Sequence, residues 1–514
     1  MSFSTIDISI FVAFFAVVLS ISMYKSRKEK TGEDYFLASR NLLWPFIALS
    51  LIAANISSEH FVGMSGQGAG SVGLAIASYE WLAAITLVFV AFFFLPKFLS
   101  SGIYTIPEFL EYRYNSTARG IMAFYTMIIY VGVTIASVLY SGALALRTIF
   151  DVDLTQSIWA IGAVAALYTI WGGLKAVAWA DLFQGSALIL GGAVVMVLGF
   201  IAVGGIPEFF QANSDKLHMI LPKDHPVLPW TALVIGLWIP NLYYWGLNQF
   251  ITQRSLAAKS LKHGQLGVIM AAGLKLLIPF IIVMPGIMAY QLYSDQMSGP
   301  GGTADAAYPL LIRNLVPGGL RGFMLAAIAG AVISSLASML NSASTIFTLD
   351  LFKRYWKQDA SQKSIITMGR ITTFIFVMIG CVIAPQLGHP RFQGIFNYIQ
   401  EFQGYISPGI LAAFLFGLLF KRAPQTAGVA ALVLNPLIYG FLAWQFGEIA
   451  FLNRMAITFG VIMVVMAGLT LLRPLEKPKV MPVRETFDMR PAPAVKYLGI
   501  AVVLITITLY IVFW

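Results

Sequence analysis

Long apolar runs recur along almost the whole of this 514-residue chain, and they constrain its fold more than any other feature. A run of about 20 residues is long enough to cross the hydrocarbon core of a bilayer as a helix. Only 11% of the residues are charged, whereas a soluble domain carries about 25%. No soluble fold could bury this much apolar surface, so the sequence predicts an all-α membrane protein.

Allowing for polar interruptions, the apolar runs predict about fourteen spanning helices. We place them near 8–24, 44–69, 73–97, 119–147, 155–172, 177–203, 229–252, 266–291, 321–350, 366–386, 396–420, 425–445, 450–472 and 495–513.

The basic residues indicate an orientation. If residues 25–43 face the cytoplasm and the sides then alternate, few of the 33 Lys and Arg residues fall on the opposite side. Those residues are Arg147, Lys216, Lys223, Arg313, Arg321, Arg391 and Arg454. This bias follows the positive-inside rule. It accounts for the net charge of +10 without a nucleic-acid partner. It predicts a multi-pass membrane protein with both termini outside the cytoplasm.

One stretch, Ile52–Gly66, interrupts its apolar run with groups that an ordinary spanning helix excludes. It holds Glu59 and His60 beside asparagine, serine and glycine residues. A charged side chain at membrane depth is costly, so it normally faces protein or a wet cavity. A helix broken here would leave backbone groups that lipid cannot satisfy but a bound ion or solute can. The stretch therefore predicts one wall of an ion and solute site.

A second interruption lies at 238–249, where Pro240 removes a backbone donor and Gly246 loosens the helix. It falls five spans after the first and runs across the membrane in the opposite direction. Paired breaks in inverted repeats are the best sequence indication of a transporter site. The alternative is that proline and glycine are simply frequent in membrane helices, but two breaks in corresponding positions favour the repeat.

This symmetry divides the chain into five parts. They are an N-terminal extra helix with a cytoplasmic loop (1–43), a first inverted repeat (44–203), an extracytoplasmic loop (204–228), a second inverted repeat (229–420), and C-terminal extra helices with a cytoplasmic linker at 473–494 (421–514).

The segment 330–342 places neighbouring serine hydroxyls on a helix of small residues. Sodium prefers several oxygen ligands, and Ser334 and Ser335 could supply two of them. Carbonyls freed at the first break, around Ala53 and Ile56, could supply more. The alternative is a packing face on which serine merely permits close helix approach.

Further polar groups lie at membrane depth, among them Glu80, Lys275 and Gln400. Carboxylate, ammonium and carboxamide groups beside aromatic rings suit a polyhydroxylated ligand. The alternative is an internal Glu–Lys pair that only neutralises itself. Glu59 beside His60 suggests either a proton relay or a structural pair. No arrangement of nucleophile and base is present in the sequence, so an enzyme is not expected.

Several long segments also resemble a known family. They are SLIAANISSEHFVGMSG (50–66), GLAIASYEW (73–81), GIYTIPEFLEYR (102–113), NLYYWGLNQFITQRSLAAKS (241–260), SSLASMLNSASTIFTLD (334–350) and FNYIQEFQGYISPGI (396–410). On these motifs the chain resembles the solute:sodium symporter family, in particular its sodium/glucose cotransporter branch.

The resemblance implies a leucine-transporter-like core of five-plus-five inverted repeats with extra helices at both ends. It implies sodium-coupled import of a monosaccharide, galactose or glucose, by alternating access. The same fold carries other solutes, such as inositol or sialic acid, in related symporters. The implied partners are sodium, the sugar and the lipid bilayer, with no obligate protein partner.

The resemblance also implies site residues. Sugar contacts would be Ser57, His60, Glu80, Asn241, Lys275 and Gln400. Gates would be Met64, Tyr79, Tyr244 and Phe396, with Tyr244 on the cytoplasmic side. Sodium ligands would be the carbonyls of Ala53, Ile56 and Ala331 and the hydroxyls of Ser334 and Ser335. Asp181 matches an acid linked to sodium passage, and Ala337 stands where relatives with a second sodium carry a hydroxyl.

Overall fold

A computed structural model describes residues 5–26, 32–150, 152–298, 303–388, 395–483 and 487–514. Within these ranges the chain is helical, and its one extended pairing is an isolated bridge between Leu42 and Ala258. Ten described helices are long and apolar enough to cross a membrane, or up to twelve if each of two bent pairs is one span. The prediction of an all-α membrane protein is confirmed.

The helices fall into four groups. The ten spans are Thr5–Lys25, Gly73–Ser101, Ser116–Ile149, Leu174–Ala202, Leu261–Ser298, Leu320–Trp356, Gln362–Leu387, Gln425–Gln445, Phe451–Leu472 and Pro493–Val512. The bent pairs are Trp44–Asn55 with Glu59–Ala69, and Ile395–Gln403 with Ser407–Leu419. Two shorter apolar helices, Leu154–Leu167 and Ala232–Leu247, match the remaining predicted spans. Connecting helices are Gly32–Leu37, Ile106–Arg113, Ile206–Ala212, Gln249–Leu256 and Ala307–Leu315.

The shorter helices do not reach the length of a full span, so the count of fourteen stays a prediction, as does the division into five parts. Arg391, counted above in the orientation argument, lies outside the described residues.

The helix Leu320–Ile346, called the serine helix below, runs through the centre of the molecule. From Met324 onward nearly all its residues are buried. Its small side chains allow neighbouring helices to approach closely. At Gly330, for example, an added Cβ would lie 2.9 Å from the side chain of Gln184. The serine helix therefore packs closely against its neighbours, including Leu174–Ala202.

Residues 154–202 are assigned as one helical segment, although the sequence predicts two spans there. A straight helix would separate Ile161 from Gly191 by about 45 Å, at about 1.5 Å per residue. Both residues instead lie at one level of the serine helix. Ile161 lines a small cavity with Leu325, and Gly191 lies against the adjacent Met324. The segment therefore reverses direction, and helical turns replace the predicted loop.

The first break is where the sequence predicts it. The helix Trp44–Asn55 ends at Ile56, whose ψ of 92° is extended, and the chain bends by 55°. Ser57 begins the second half, because its Oγ accepts a hydrogen bond from Glu59 N at 3.2 Å. Serine at such a turn satisfies a backbone donor that the break would leave unpaired. We call this pair of helices the first broken span.

The second break lies at the end of the predicted stretch 238–249. Residues 240–246 belong to the helix Trp238–Leu247, and the chain leaves helical geometry at Asn248 (φ −83°, ψ 121°). Pro240 is the third residue after the irregular turn at Leu237, and a missing backbone donor is tolerated in this first turn of Trp238–Leu247. Gly246 gives close packing, since an added Cβ would lie 2.5 Å from the Phe94 ring. The predicted break at Pro240 and Gly246 is therefore wrong by a few residues.

The side chain of Tyr130 stabilises this second break. Its hydroxyl donates to the side-chain oxygen of Asn248 and accepts a hydrogen bond from Phe250 N at 3.1 Å. The chain then continues as Gln249–Leu256. We call Ala232–Leu247 with Gln249–Leu256 the second broken span.

A third break interrupts the predicted span 396–420, which the sequence analysis treats as continuous. Ile395–Gln403 and Ser407–Leu419 meet at 44°. Asn435 bonds both sides of the bend, donating to Gly404 O at 3.2 Å and accepting from Gly409 N at 2.7 Å. A neighbouring helix thus satisfies the backbone groups that the bend exposes, as a membrane interior requires.

Close packing against the first broken span yields a testable expectation. At Gly286, an added Cβ would lie 2.2 Å from the carbonyl oxygen of Ser65. Backbone cannot yield as a flexible side chain can, so Gly286→Ala should destabilise the protein by about 1–3 kcal/mol. Thermal unfolding of the detergent-solubilised protein measures this. Gly460→Ala is the control, because an added Cβ there meets nothing within 4 Å. Equal melting temperatures for the two variants would contradict the expectation.

Candidate functional site

A cavity lies where the three broken spans meet, and we call it the central cavity. Eight of the ten residues predicted as sugar contacts or gates line it: His60, Met64, Tyr79, Glu80, Asn241, Tyr244, Phe396 and Gln400. Its volume is about 50 Å³, enough for a few water molecules. Ligand pockets usually measure about 300 Å³ or more. Admitting a larger solute therefore requires these helices to move apart.

A buried ion pair borders the central cavity. The Lys275 ammonium donates to the Glu80 carboxylate and to the side-chain oxygen of Asn55. Lys275 is fully buried and Glu80 is 3% exposed. His60 Nε2 lies 3.3 Å from Glu80 Oε1, and Lys275 Nζ lies 4.9 Å from the centre of the Trp245 ring. The Glu–Lys pair considered from sequence is thus formed, and it stands beside the space that a solute would enter.

Aromatic rings close two sides of the central cavity. Tyr79 and Phe396 meet edge to face, with ring centroids 4.9 Å apart, beside Met64. On another side, the Tyr244 hydroxyl accepts a hydrogen bond from Asn55 Nδ2 at 3.1 Å. Asn55 therefore links Tyr244 to Lys275, a connection that the sequence analysis did not foresee. The sequence did contain a signal for this role, because Asn55 is the polar last residue of the helix before the first break.

Two predicted features are arranged differently. Ser57 is buried at the first break, where its hydroxyl accepts from Glu59 N, and it is not among the residues lining the central cavity. His60 pairs with Glu80. Between His60 and Glu59, within the described part of the chain, no hydrogen bond is formed. The proton-relay interpretation of Glu59 and His60 therefore lacks a direct link.

The predicted sodium ligands lie at the contact between the first broken span and the serine helix. Ser335 Oγ donates to the carbonyl of Ala54 at 3.2 Å. Among the described residues, the carbonyls of Ala53 and Ile56 accept no backbone hydrogen bond outside a helix. Ala331 and Ser334 lie fully buried on the facing serine helix. Hydroxyl and carbonyl oxygens of this kind suit a hard cation.

Asp181 lies beside this group and is fully buried. Its carboxylate accepts hydrogen bonds from Ser50 and Ser334. Arg254 Nη2 lies 3.4 Å from it. Sequence reasoning missed Arg254, because it lies just past the predicted end of a span and was counted with the cytoplasmic charges. Its signal was a lone arginine between buried polar residues, Gln253 and Ser255.

Asp305, in the connection before the serine helix, offers a pH-dependent test. Its Oδ2 accepts from Ile395 N at 3.4 Å, and burial raises the pKa of Asp305 from 3.8 to about 6. Stability from this group is therefore full below about pH 4 and lost as the pH rises through 6. This pKa shift corresponds to a change of roughly 3 kcal/mol in the free energy of unfolding between low and high pH. Asp305→Asn should raise the melting temperature at pH 7.5 and flatten its pH dependence. Parallel pH profiles for variant and wild type would contradict this.

The model of the "Sodium:solute symporter family" matches residues 35–434. The chain belongs to this family. A "Sodium/glucose cotransporter" of Vibrio parahaemolyticus is 43% identical over 494 residues, covering 90% of each chain. A rabbit "Sodium/myo-inositol cotransporter 2" is 35% identical, over 85% of this symporter and 69% of that protein.

Solved structures support the same fold. A Na⁺-coupled sialic acid symporter, in a substrate-bound outward-open state, superposes with a TM-score of 0.82 at 24% identity, covering 92% of this symporter and 99% of that chain. The predicted leucine-transporter-like, five-plus-five fold class is thereby confirmed. Family membership makes this protein a multi-pass, sodium-coupled symporter and not an enzyme. Sodium is its co-transported ion.

Proposed function

We propose that this symporter imports a neutral monosaccharide, glucose or galactose, with sodium by alternating access. The observation that carries the proposal is the buried Glu80–Lys275 pair, with His60 and Asn55, at the edge of the central cavity. Carboxylate and ammonium groups can exchange bonds with vicinal hydroxyls, and Asn241 and Gln400 add carboxamides on the other walls. Aromatic side chains offer an apolar surface to the sugar ring.

The charge of the site favours a neutral solute over an anion. Glu80 already neutralises the Lys275 ammonium. The residues that line the central cavity include the acids Glu59 and Glu80 but no arginine or lysine in the described chain. A carboxylated sugar such as sialic acid would therefore bring a negative charge to a site without a free cation. The related cotransporter named for glucose agrees with this preference.

A second candidate is myo-inositol. Relatives named as sodium/myo-inositol cotransporters are 33–35% identical to this chain in several mammals. Inositol is also a neutral, ring-shaped polyol, so the same groups could bind it. Only a direct competition assay separates the two candidates.

For sodium, we propose the carbonyls of Ala53, Ile56 and Ala331 and the hydroxyls of Ser334 and Ser335. An ion here would join the first broken span to the serine helix, and that contact stabilises one wall of the central cavity. Sodium and sugar would then raise each other's affinity, by a coupling of typically about 1–3 kcal/mol. Met64, Tyr79 and Phe396 would gate one side and Tyr244 the other.

The available driving force is sufficient for accumulation. One charge crossing 100 mV provides about 2.3 kcal/mol, and a tenfold sodium gradient adds about 1.4 kcal/mol. Together these sustain a sugar gradient of several hundred-fold at one-to-one coupling. We also propose that the protein lies in a bacterial plasma membrane with both termini outside the cytoplasm.

The decisive experiment uses purified protein in vesicles with an inward sodium gradient. Labelled glucose uptake is measured in competition with galactose, myo-inositol and sialic acid. We expect uphill glucose uptake that requires sodium and is reduced more strongly by galactose than by myo-inositol or sialic acid. Stronger competition by myo-inositol would favour the second candidate. Downhill flux only, as in a channel, would overturn the proposal.

A further inference from the structure

Arg254 is a fully buried cation with a fixed set of partners next to the proposed sodium ligands. Its side chain is 1% exposed, and its Nη2 lies 3.4 Å from the Asp181 carboxylate. Its Nε donates to Ser50 Oγ at 2.6 Å, and it also donates to the hydroxyl of Ser338. Two of its partners, Ser50 and Asp181, also bond each other. The guanidinium thus completes a closed polar cluster inside the protein.

This cluster joins four helices at one point. Ser50 belongs to the first half of the first broken span, and Arg254 to the second half of the second broken span. Asp181 comes from Leu174–Ala202, and Ser338 from the serine helix. Any displacement of Arg254 would therefore reach both broken spans. A surface ion pair could not have this effect.

The cluster is one hydroxyl away from the proposed sodium position. The Ser334 hydroxyl donates a hydrogen bond to the Asp181 carboxylate. Ser338 Oγ donates a hydrogen bond to the carbonyl of Ser334 at 2.7 Å. A hydroxyl that ligates a cation through a lone pair can still donate a hydrogen bond through its O–H group. Ser334 can therefore hold sodium and remain bonded to Asp181. The Asp181 carboxylate is then the nearest negative charge to a sodium ion held by Ser334.

Two cations compete for one carboxylate at this point. Arginine is always protonated in proteins, so Arg254 cannot lose its charge when sodium arrives. One cation neutralises Asp181 in the buried interior, whereas two would leave an uncompensated positive charge there. We propose that Arg254 is a tethered counter-ion that competes with sodium for Asp181 and promotes sodium release. The inference rests on the proposed sodium ligands, not on the identity of the solute.

The position of Arg254 in the chain connects this competition to movement. Arg254 lies six residues after Asn248, where the second broken span leaves helical geometry. When sodium is bound, Arg254 moves away from Asp181, and the short helix that carries it shifts. When sodium leaves, the guanidinium returns to Asp181, and the two buried charges again neutralise each other. The ion-free state is thereby stabilised without a bound cation.

The test measures sodium binding directly, with ²²Na⁺ on purified protein and no solute. Arg254→Gln keeps a hydrogen-bond donor but removes the charge, and its half-saturating sodium concentration should fall at least fivefold. Arg254→Lys keeps the charge but has a single point of contact, so its value should lie between those of Arg254→Gln and wild type. In vesicles, Arg254→Gln should also lower the maximal rate of uptake, because sodium leaves more slowly.

A matched control is Arg113→Gln. Arg113 is also a buried arginine, but it bonds the carbonyls of Gly417, Phe420 and Ala423 and is not placed at the ion site. Its loss should leave the half-saturating sodium concentration unchanged. If the half-saturating sodium concentration of either Arg254 variant equals or exceeds that of wild type, the proposal is overturned. Arg254 would then have only a structural role in holding the helices together. If Arg254→Gln does not fold, Arg254→Lys against wild type decides the question.

Failure of the proposed function remains distinguishable from failure of this inference. Wild-type protein that binds ²²Na⁺ but accumulates neither glucose nor galactose would contradict the proposed solute. The ordering of the Arg254 variants in sodium binding would still stand or fall by itself.

Discussion

Glu80→Gln is expected to reduce sodium-driven solute uptake by at least a hundredfold. The change leaves the fully buried Lys275 ammonium without its carboxylate partner. Breaking a buried pair on one side costs about 3–5 kcal/mol, which corresponds to a factor of roughly a hundred to a few thousand. It also removes an acceptor for sugar hydroxyls. Uptake in vesicles, normalised to the amount of folded protein, measures the loss.

Two further variants separate the possible causes. Glu59→Gln makes the same substitution at a residue that also lines the central cavity but forms no described ion pair, so its loss should be much smaller. Glu80→Gln with Lys275→Met removes both charges and should restore thermal stability without restoring uptake. Recovery of uptake in the double variant would show that the pair serves only to neutralise itself.

Ser335→Ala is expected to raise the sodium concentration for half-maximal uptake about tenfold, equivalent to about 1.4 kcal/mol of lost binding. Ser335 lies at the contact between the two elements that the ion would join, because its hydroxyl donates to Ala54 O. Removing one oxygen from a small set of ligands weakens the binding of a hard cation more than it weakens the binding of the sugar. Initial rates over a sodium titration, at saturating sugar, measure the shift.

Ser344→Ala is the matched control on the same helix. Ser344 is equally buried, but its hydroxyl donates to Asn341 O within the serine helix itself. Its removal should leave the sodium titration unchanged. An unchanged titration for Ser335→Ala as well would remove Ser335 from the sodium site and favour the alternative of a small-residue packing face.

The three breaks show where reasoning from local sequence succeeds and where it does not. The first break carries its own signal, since Ser57 and the polar residues around it satisfy the backbone locally. At the second break, Pro240 was misleading because a proline in the first turn of a helix is tolerated. The actual break at Asn248 depends on Tyr130, which comes from a distant part of the chain. The bend after Gln403 likewise depends on Asn435 of another helix.

By itself, the sequence determined the membrane environment, the helical class, the family and eight of the residues that line the central cavity. These properties follow from apolar run length, from local polar interruptions and from long specific motifs. Only the tertiary structure decided which charges meet. Lys275 reaches Glu80 across 195 positions and Arg254 reaches Asp181 across 73. The energy of a buried charge depends on its nearest partner in space, and sequence spacing does not encode that partner.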